Sequence, residues 1–456
     1  MMYKGNKVLV VGVARSGIGA ANLLNMLGAK VTINDIKTEK ELADQLSLLN
    51  DGVNMVLGCK ADELIAGKDL IVVSPGIPAS LSLFEAAKKQ NVPIIGEVEL
   101  AYSVCPAKVA AITGTNGKTT TTALLGAIFA KQSKDSFVVG NIGYAFSSKV
   151  LEMTKDSNVA LEVSSFQMET INNFRPKVSA ILNITEDHIA RHGSMAEYIR
   201  CKKRIFKNQR NNDVLVLNYD DETTRKMADE AKCRVVYFSK SNIDSDGACI
   251  VDNKIVIKDK GETVEICEKN KISLPGVHNL ENTLAAAAIA HFYGIESDAI
   301  AYAVQNFKSV EHRLEFVLEH NGIRYINDSK GTNTDATVWA VKAMDRPTII
   351  ILGGYEKGAE FDGLIQNFSE FIKGAVVIGQ TKPKIISALQ KAGFENYRES
   401  ATFEEAVYTA LEMTDDGYNI LLSPACASFD MFKDFDQRGR RFKEIAREIQ
   451  EKDNEQ

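Results

Sequence analysis

The run Thr113-Gly114-Thr115-Asn116-Gly117-Lys118-Thr119-Thr120 constrains this chain more than any other stretch. Apolar residues 109–112 lead into it as a buried strand, and a helix-competent stretch, 121–131, leaves it. A strand, a glycine-rich turn and a helix in direct succession close backbone N–H groups on an oxyanion, and the helix N-terminus adds partial positive charge. Lys118 then reaches the outer phosphates of a nucleotide, and Thr119 places a hydroxyl where a magnesium ion sits. The spacing is a shortened variant, because Ile112 stands where the standard loop has its first glycine. The competing reading is an ordinary strand–turn–helix junction with a surface lysine. Both glycines, Lys118-Thr119 and the strand occur together, which favours phosphate.

The chain has 456 residues, a length that suggests about three domains. A formal net charge of −6 gives no global basic field, so neither nucleic acid nor an anionic membrane is expected as partner. An anionic ligand must then be held by a local site. The seven cysteines are scattered with no CxxC pair, a pattern that fits reduced thiols in a cytosol. Residues 1–6 show no signal-peptide pattern and no apolar run is long enough to span a bilayer, so a soluble cytoplasmic protein is expected.

Three α/β units follow one another. In the first, strands at 7–11 and 31–34 bracket a helical stretch, 18–27. Gly12-Val13-Ala14-Arg15-Ser16-Gly17 lies at the turn and Asp35 at the second strand's tip. This is the outline of a dinucleotide-binding unit whose acidic residue meets a ribose hydroxyl, but Ala14 replaces the middle glycine where backbone approaches pyrophosphate. A nicotinamide cofactor does not follow; a loop able to hold a nucleotide diphosphate does. Further strands fall at 70–73, ahead of Ser74-Pro75-Gly76-Ile77-Pro78, and at 92–95. The first domain closes near residue 103, ahead of Cys105-Pro106.

The second domain, 104–309, carries strands at 138–142, 159–163, 178–182, 214–218 and 234–238. A hairpin over 249–258 turns at Asp252-Asn253, and an alanine-rich helix covers 283–293. Parallel sheets gather ligands at the carboxyl ends of their strands, where Asn141, Glu162 and Asn183-Ile184-Thr185-Glu186-Asp187-His188 fall. The third, 310–456, has strands at 324–327, 348–352, 375–378 and 419–422 and a charged closing helix at 437–452. The fold class is α/β in three domains: Rossmann-like, P-loop ATPase-like with a mostly parallel sheet, and Rossmann-like again.

Taken singly, the candidates divide. Glu162 alone reads as a surface carboxylate; one βα unit after a phosphate loop it resembles the acidic residue of a Walker B strand, a magnesium ligand. His188 is balanced between metal ligand and helix cap. Lys202 and Lys203 lie on a basic stretch, 200–207, whose simplest reading is a solvated face. Cys426 reads as a small buried hydrophobe.

These pieces in this order resemble the Mur ligase family, whose members use ATP to join an amino acid to a nucleotide-activated peptidoglycan precursor. The likeness spans essentially the whole chain. It rests on Gly114-Thr115-Asn116-Gly117-Lys118-Thr119-Thr120, Leu161-Glu162-Val163-Ser164-Ser165-Phe166-Gln167, the 183–188 run, Gly276-Val277-His278-Asn279 with Asn282, His312-Arg313, and Asp328-Ser329-Lys330-Gly331-Thr332-Asn333. Within the family, Ser423-Pro424-Ala425-Cys426-Ala427-Ser428 and Phe435-Asp436-Gln437-Arg438-Gly439 resemble the branch that adds D-glutamate to UDP-N-acetylmuramoyl-L-alanine.

The resemblance implies that the alanine carboxylate takes the γ-phosphate of ATP, and that the D-glutamate amine attacks the acyl phosphate so formed. It places Gly114, Thr115, Asn116, Gly117, Lys118, Thr119 and Thr120 on ATP, with Asn279 and Asn282 flanking the base, Arg313 at the γ-phosphate and Asp328 at the ribose. Thr119 and Glu162 hold one Mg2+, and His188 and Lys202 a second. A lysine cation ~4 Å from a divalent ion, at an effective dielectric of about 20, is repelled by roughly 8 kcal/mol. The family's remedy is a carbamate on this lysine, and the spacing from Tyr198 selects Lys202 over Lys203. Gly12, Ala14, Arg15, Ser16, Gly17, Asp35, Lys37, Ser74 and Asn141 take the UDP-linked substrate. Lys330, Thr332, Lys357, Ser428, Phe429 and Phe435 line the D-glutamate pocket, where cations and hydroxyls suit a dicarboxylic amino acid. Phe429 stands where some relatives carry Leu, and Gly353-Gly354-Tyr355-Glu356-Lys357 lacks the small acidic residue of others.

The resemblance also implies a monomer in the bacterial cytoplasm acting on small molecules only. The alternatives are another Mur ligase, an amide ligase like folylpolyglutamate synthase, and a non-catalytic nucleotide-binding module suggested by the degenerate 12–17 loop. A pteroyl substrate would need no uridine-binding first domain.

Overall fold

The computed structural model describes residues 2–274, 276–307, 311–356 and 358–454. Its chain forms two compact units, residues 1–275 with 279–307, and residues 276–278 with 308–456.

The first unit holds two sheets. β1 (Lys7–Val11), β2 (Lys30–Asp35), β3 (Asn54–Leu57), β4 (Leu70–Val73) and β5 (Ile94–Gly96) are parallel, in the order β3-β2-β1-β4-β5. β1 and β4 are unbroken apolar runs because helices cover both faces. Val8 and Val10 pack with Leu23 and Leu24 of the helix Arg15–Met26, whereas Leu9 and Val11 pack with Leu83 and Ala87 of the helix Ser82–Lys89. The strand order reverses between β1 and β4. The 12–17 and 74–78 loops therefore open side by side at a topological switch point, the usual ligand crevice of such a sheet.

β6 (Lys108–Thr113), β7 (Ser136–Gly140), β8 (Asn158–Glu162), β9 (Val178–Ile181), β10 (Val214–Asn218), β11 (Arg234–Phe238), β12 (Gly247–Val251), β13 (Lys254–Asp259) and β14 (Glu262–Glu268) build the second sheet. Its order is β14-β13-β12-β11-β10-β9-β6-β8-β7, parallel except for the β12-β13-β14 meander. β6 lies between β8 and β9, so the loop that follows it emerges between their carboxyl ends. One face is filled by Leu124, Leu125, Ile128 and Phe129 of the helix Lys118–Gln132, meeting Leu284 and Ala285 to Ile289. The expected hairpin turns at Asp252 and Asn253, both in the left-handed region that a tight two-residue turn demands.

The helix Glu97–Val104 after β5 ties the two sheets together. Glu97 Oε1 accepts from the Ser147 N–H (2.6 Å), and Glu99 accepts from the N–H groups of Asn172 (3.0 Å), Asn173 (2.7 Å) and Phe174 (3.0 Å).

The second unit carries β15 (Glu315–His320), β16 (Ile323–Asn327), β17 (Thr348–Gly353), β18 (Ile372–Ile378), β19 (Tyr397–Glu399) and β20 (Asn419–Leu422) in the order β15-β16-β20-β17-β18-β19. Only β15–β16 is antiparallel among its described pairs. Ile420 and Leu422 pack with Phe403, Val407, Phe442 and Ile445 on one face, and Leu421 with Val341, Leu364 and Leu389 on the other. The sequence reading holds no strand at β3, β14, β15 or β19, in each of which most positions are exposed or half-buried. Among the described residues no helix is long and apolar enough to cross a membrane.

Candidate active site

β6 ends on buried Thr113 and the chain turns through 114–117 into the helix Lys118–Gln132. Gly117 sits at φ +79°, and a Cβ on it would collide with Asn282 Oδ1. Glycine is required there both by conformation and by the approach of Asn282. The rim of the loop is tied to the segment after β9. Thr115 N–H donates to the Asn183 carbonyl (3.0 Å), Asn116 N–H to Asn183 Oδ1 (2.8 Å), and Thr185 N–H to Thr115 Oγ1 (3.0 Å). The Tyr198 hydroxyl lies 3.0 Å from the same Thr115 oxygen, and burial pushes this phenol up to about 12. Lys118 Nζ donates to the carbonyls of Gly114 (2.9 Å) and Thr115 (2.7 Å). Lys202 Nζ reaches the Gly114 carbonyl too, at 2.7 Å.

Lys202 is 1% exposed, on the helix Met195–Lys203. The solvated-face reading of 200–207 fits Arg200, which is exposed, and fails for Lys202. Helical spacing puts Tyr198, Cys201 and Lys202 on the inner face. Burial first, then the charge of Lys118, pushes the Lys202 ammonium well below the usual lysine range.

Glu162 closes β8 and is 1% exposed. Its Oε1 accepts from Asn141 Nδ2 (2.9 Å), while Oε2 is buried with no hydrogen-bond partner. A buried carboxylate oxygen left in this way is costly in a protein by itself and fits a cation ligand. Thr119, at the head of the phosphate-loop helix, is buried as well. His188 adopts a left-handed conformation (φ +53°), rests 4.8 Å from the Phe166 ring and lies 3.4 Å from the Asp187 carboxylate. Among the described residues no three His, Cys, Asp or Glu side chains are grouped to hold a metal, and the expected ligand set leans on Thr119 and Lys202 besides.

The substrate loops of the first sheet reach these groups directly. Ser74 Oγ donates to the Gly12 carbonyl (3.0 Å), joining the two switch-point loops. Asp35, expected at a ribose hydroxyl, accepts from Val13 N–H (2.8 Å) and Lys37 N–H (3.0 Å), so its carboxylate also shapes the 12–17 loop. Arg15 donates to the carbonyls of Gly143 (2.6 Å) and Asn141 (3.0 Å). Asn141 was expected on the uridine nucleotide; its side-chain amide is engaged with Glu162. Ala14 and Ser16 stay exposed and half-buried beside Arg15.

In the second unit Asp328 follows β16. Its carboxylate accepts from the Ser423 hydroxyl (2.7 Å) and the Leu314 N–H (3.2 Å). Burial pushes it up to about 6, against the opposing pull of Arg313. Lys330 Nζ lies 5.6 Å over the Phe435 ring, within cation–π range. Thr332 N–H donates to the Lys330 carbonyl (2.9 Å). Ser428 is buried, and Phe429 is exposed with its ring 6.0 Å from that of Tyr355. Buried Arg438 fastens this group, donating to Ser329 Oγ (3.0 Å), the Ser329 carbonyl (2.8 Å) and the Cys426 carbonyl (3.0 Å). Cys426 is buried and its thiol is pushed up to about 11, an inert group. Lys357 lies outside the described residues.

Three family models match the chain: "Mur ligase MurD-like, N-terminal domain" over residues 6–96, "Mur ligase middle domain" over 112–290, and "Mur ligase, glutamate ligase domain" over 312–426. The UDP-N-acetylmuramoylalanine–D-glutamate ligase of Thermoanaerobacter sp. (strain X514) is 44% identical over 98% of this chain and 100% of its own. The chain belongs to the Mur ligase family. The ligase of the same name from Alkaliphilus oremlandii is also 44% identical, over 98% of this chain and 99% of its own. The solved structure of UDP-N-acetylmuramate-alanine ligase MurC from Thermotoga maritima shares the fold, with a TM-score of 0.62 at 19% identity, covering 97% of this chain and all of that one.

Within this Mur ligase fold the first unit brings Lys118, Lys202, Asn141 and Glu162 around one loop, and the second brings Asp328, Lys330 and Phe435 around another. Reading the sequence missed residues whose work is to hold others. Asp221 accepts from the Ile184 N–H (3.0 Å) and so fixes the segment that ends on His188, while also capping the next helix through Thr224 N–H (2.9 Å). Its Asp-Glu helix start is a legible cap, but the contact to Ile184 spans 37 residues and leaves no local pattern.

Proposed function

We propose that this Mur ligase adds D-glutamate to UDP-N-acetylmuramoyl-L-alanine, using ATP and passing through an acyl phosphate on the alanine carboxylate. The observation that carries the reading is the charge group at the phosphate loop. Lys118 and buried Lys202 meet on the Gly114 carbonyl, beside a buried Glu162 with one oxygen unpartnered. Phosphoryl transfer asks a protein chiefly to position groups and neutralise charge, which this set is built to do. The names of the full-length relatives supply the amino acid and the nucleotide.

Magnesium, when bound, supplies charge neutralisation at the phosphate oxygens. Thr119 and Glu162 would hold one ion, with Asn141 engaging Oε1 and leaving Oε2 as ligand; His188 and Lys202 would hold a second. For that, Lys202 is best a carbamate. Its neutral amine, the form that burial favours, adds to CO2 through an N–C bond and releases one proton, leaving an anionic carbamate where an ammonium would repel the ion. The Gly114, Thr115, Asn116, Gly117 and Thr120 backbone cradles the phosphates, and Lys118 exchanges its two carbonyls for the γ-phosphate. Asn279 and Asn282 take the base. Gly12, Ala14, Arg15, Ser16, Gly17, Asp35, Lys37, Ser74 and Asn141 form the wall of the UDP-substrate site. Asp328 serves the ribose and Arg313 the γ-phosphate, while Lys330, Thr332, Lys357, Ser428, Phe429 and Phe435 serve D-glutamate.

We assign residues 1–103 to the nucleotide substrate, 104–309 to ATP and 310–456 to the amino acid, each range containing one sheet. One chain supplies all three sites, so a monomer in the bacterial cytoplasm suffices. The test is ATP-dependent phosphate release with UDP-N-acetylmuramoyl-L-alanine across amino acids. D-glutamate is expected to be the preferred acceptor; equal turnover with L-lysine or diaminopimelate would reassign the chain to a sister ligase.

A further inference from the structure

We infer that Arg191 is a positioning residue that couples the 74–78 substrate loop to His188. The inference rests on the ligase reading and adds a residue that neither the motifs nor the resemblance assigns. Arg191 belongs to the one-turn helix Ile189–His192, for which His188 is the residue before the first turn. Its guanidinium forms a fork with Glu169, Nε to Oε1 at 3.1 Å and Nη2 to Oε2 at 2.7 Å, which fixes the plane of the group. The outer edge of that plane faces the first sheet's loop. It donates to the Ile77 carbonyl at 2.9 Å and lies 3.4 Å from the carbonyls of Pro75 and Gly76. That loop begins at Ser74, whose hydroxyl is bonded to Gly12 across the ligand crevice.

The other side of Arg191 faces His188 in two ways. Arg191 N–H donates to the His188 carbonyl (2.9 Å), and the guanidinium carbon sits 4.9 Å over the Phe166 ring that His188 also stacks on. His188 holds a left-handed backbone that a non-glycine residue adopts only when its surroundings impose it. A substrate that orders the 74–78 loop therefore steadies Arg191, and Arg191 steadies the histidine. The guanidinium is not an anion receptor, because Glu169 offsets its charge and backbone carbonyls of the 75–77 segment face its outer edge. Lysine cannot stand in, since one ammonium cannot keep both the fork and the loop contacts.

The experiment is a binding cycle on the full-length protein and its Arg191→Gln and Arg191→Lys variants. UDP-N-acetylmuramoyl-L-alanine is titrated by calorimetry with and without Mn2+ plus a non-hydrolysable ATP analogue, and Mn2+ is titrated by electron paramagnetic resonance with and without that substrate. In the unsubstituted chain each ligand is expected to tighten the other by roughly fivefold or more, and by the same factor in both directions. Arg191→Gln is expected to bring that factor below about twofold while ATP-analogue affinity stays within about threefold, and Arg191→Lys to recover little of it. Coupling retained in both variants would overturn the inference, as would loss of analogue binding in step with substrate binding, which marks a merely structural residue. An unsubstituted chain that binds both ligands without coupling overturns the inference and leaves the ligase reading standing. One that binds no UDP-linked substrate removes the ligase reading, and this inference with it.

Discussion

At Lys202 and Asp328, burial shifts the balance between protonation states, in opposite senses. Lys202 donates to the Gly114 carbonyl, and desolvation outweighs the charges of Asp187 and Glu162, which favours the neutral amine. A neutral buried amine is the form that captures CO2. Protein exchanged into 13C-bicarbonate should show a carbamate carbon resonance that is absent in Lys202→Arg, and an identical spectrum for both would refute the carbamate. Asp328 is displaced in the opposite sense. Its folded value of about 6 stands above the ordinary 3.8, so protonation stabilises the fold. That contribution is fully present below 3.8 and is lost as pH rises through about 6. In the proposed ribose role, the ionised form is the stronger acceptor for the hydroxyl. The KM for ATP should therefore rise as pH falls through about 6, and Asp328→Asn should flatten this dependence while raising KM at pH 8. A wild-type KM that stays level from pH 8 to pH 5 would remove Asp328 from the ribose.

At the scale of elements, function depends on loops at strand ends being held by neighbours. Asp221 shows this most directly, since one carboxylate caps its own helix and grips Ile184 in the segment leading to His188. Asp221→Ala should cost about 1–2 kcal/mol of stability, as lost caps do, and lower kcat/KM by about tenfold through misplacement of that segment. Stability loss with unchanged kcat/KM would reduce Asp221 to a cap. Which elements were legible follows from the same physics. β1, β4, β6, β8 and β20 are short, largely apolar runs buried on both faces, and their polar tips mark the ligand side, so Glu162 and the phosphate loop could be read from the sequence. β19 is a three-residue edge strand and β15 has an irregular register, so neither carries a period-two signal. The partners of the site residues were illegible for another reason. Asn141 to Glu162, Arg191 to Ile77 and Asp221 to Ile184 are contacts made by the fold across many residues, and no local pattern announces them.

At the scale of the whole molecule, the helix Glu97–Val104 is one of the elements that join the two sheets of the first unit. Glu99 is buried and gathers three backbone N–H groups of the 172–174 turn, none of which has another acceptor among the described contacts. Truncation strands the buried Phe174 N–H and removes the acceptor of the partly buried Asn172 and Asn173 N–H groups, a sizeable fraction of a marginal stability. Glu99→Ala should destabilise the first unit by roughly 3–5 kcal/mol, and Glu99→Gln, which keeps one acceptor oxygen, by about half as much. The chain's sole tryptophan gives the means to see where the loss falls. Trp339 lies in the second unit, on the helix Thr334–Lys342, with a hydrophobic core separate from that of Glu99. In urea, the far-ultraviolet circular dichroism of Glu99→Ala should develop an early transition from the first unit. Tryptophan fluorescence should keep the midpoint of the unsubstituted chain. Coincident early transitions by both probes would mean that the two units unfold as one cooperative body, and the separate cores would then be a feature of packing alone.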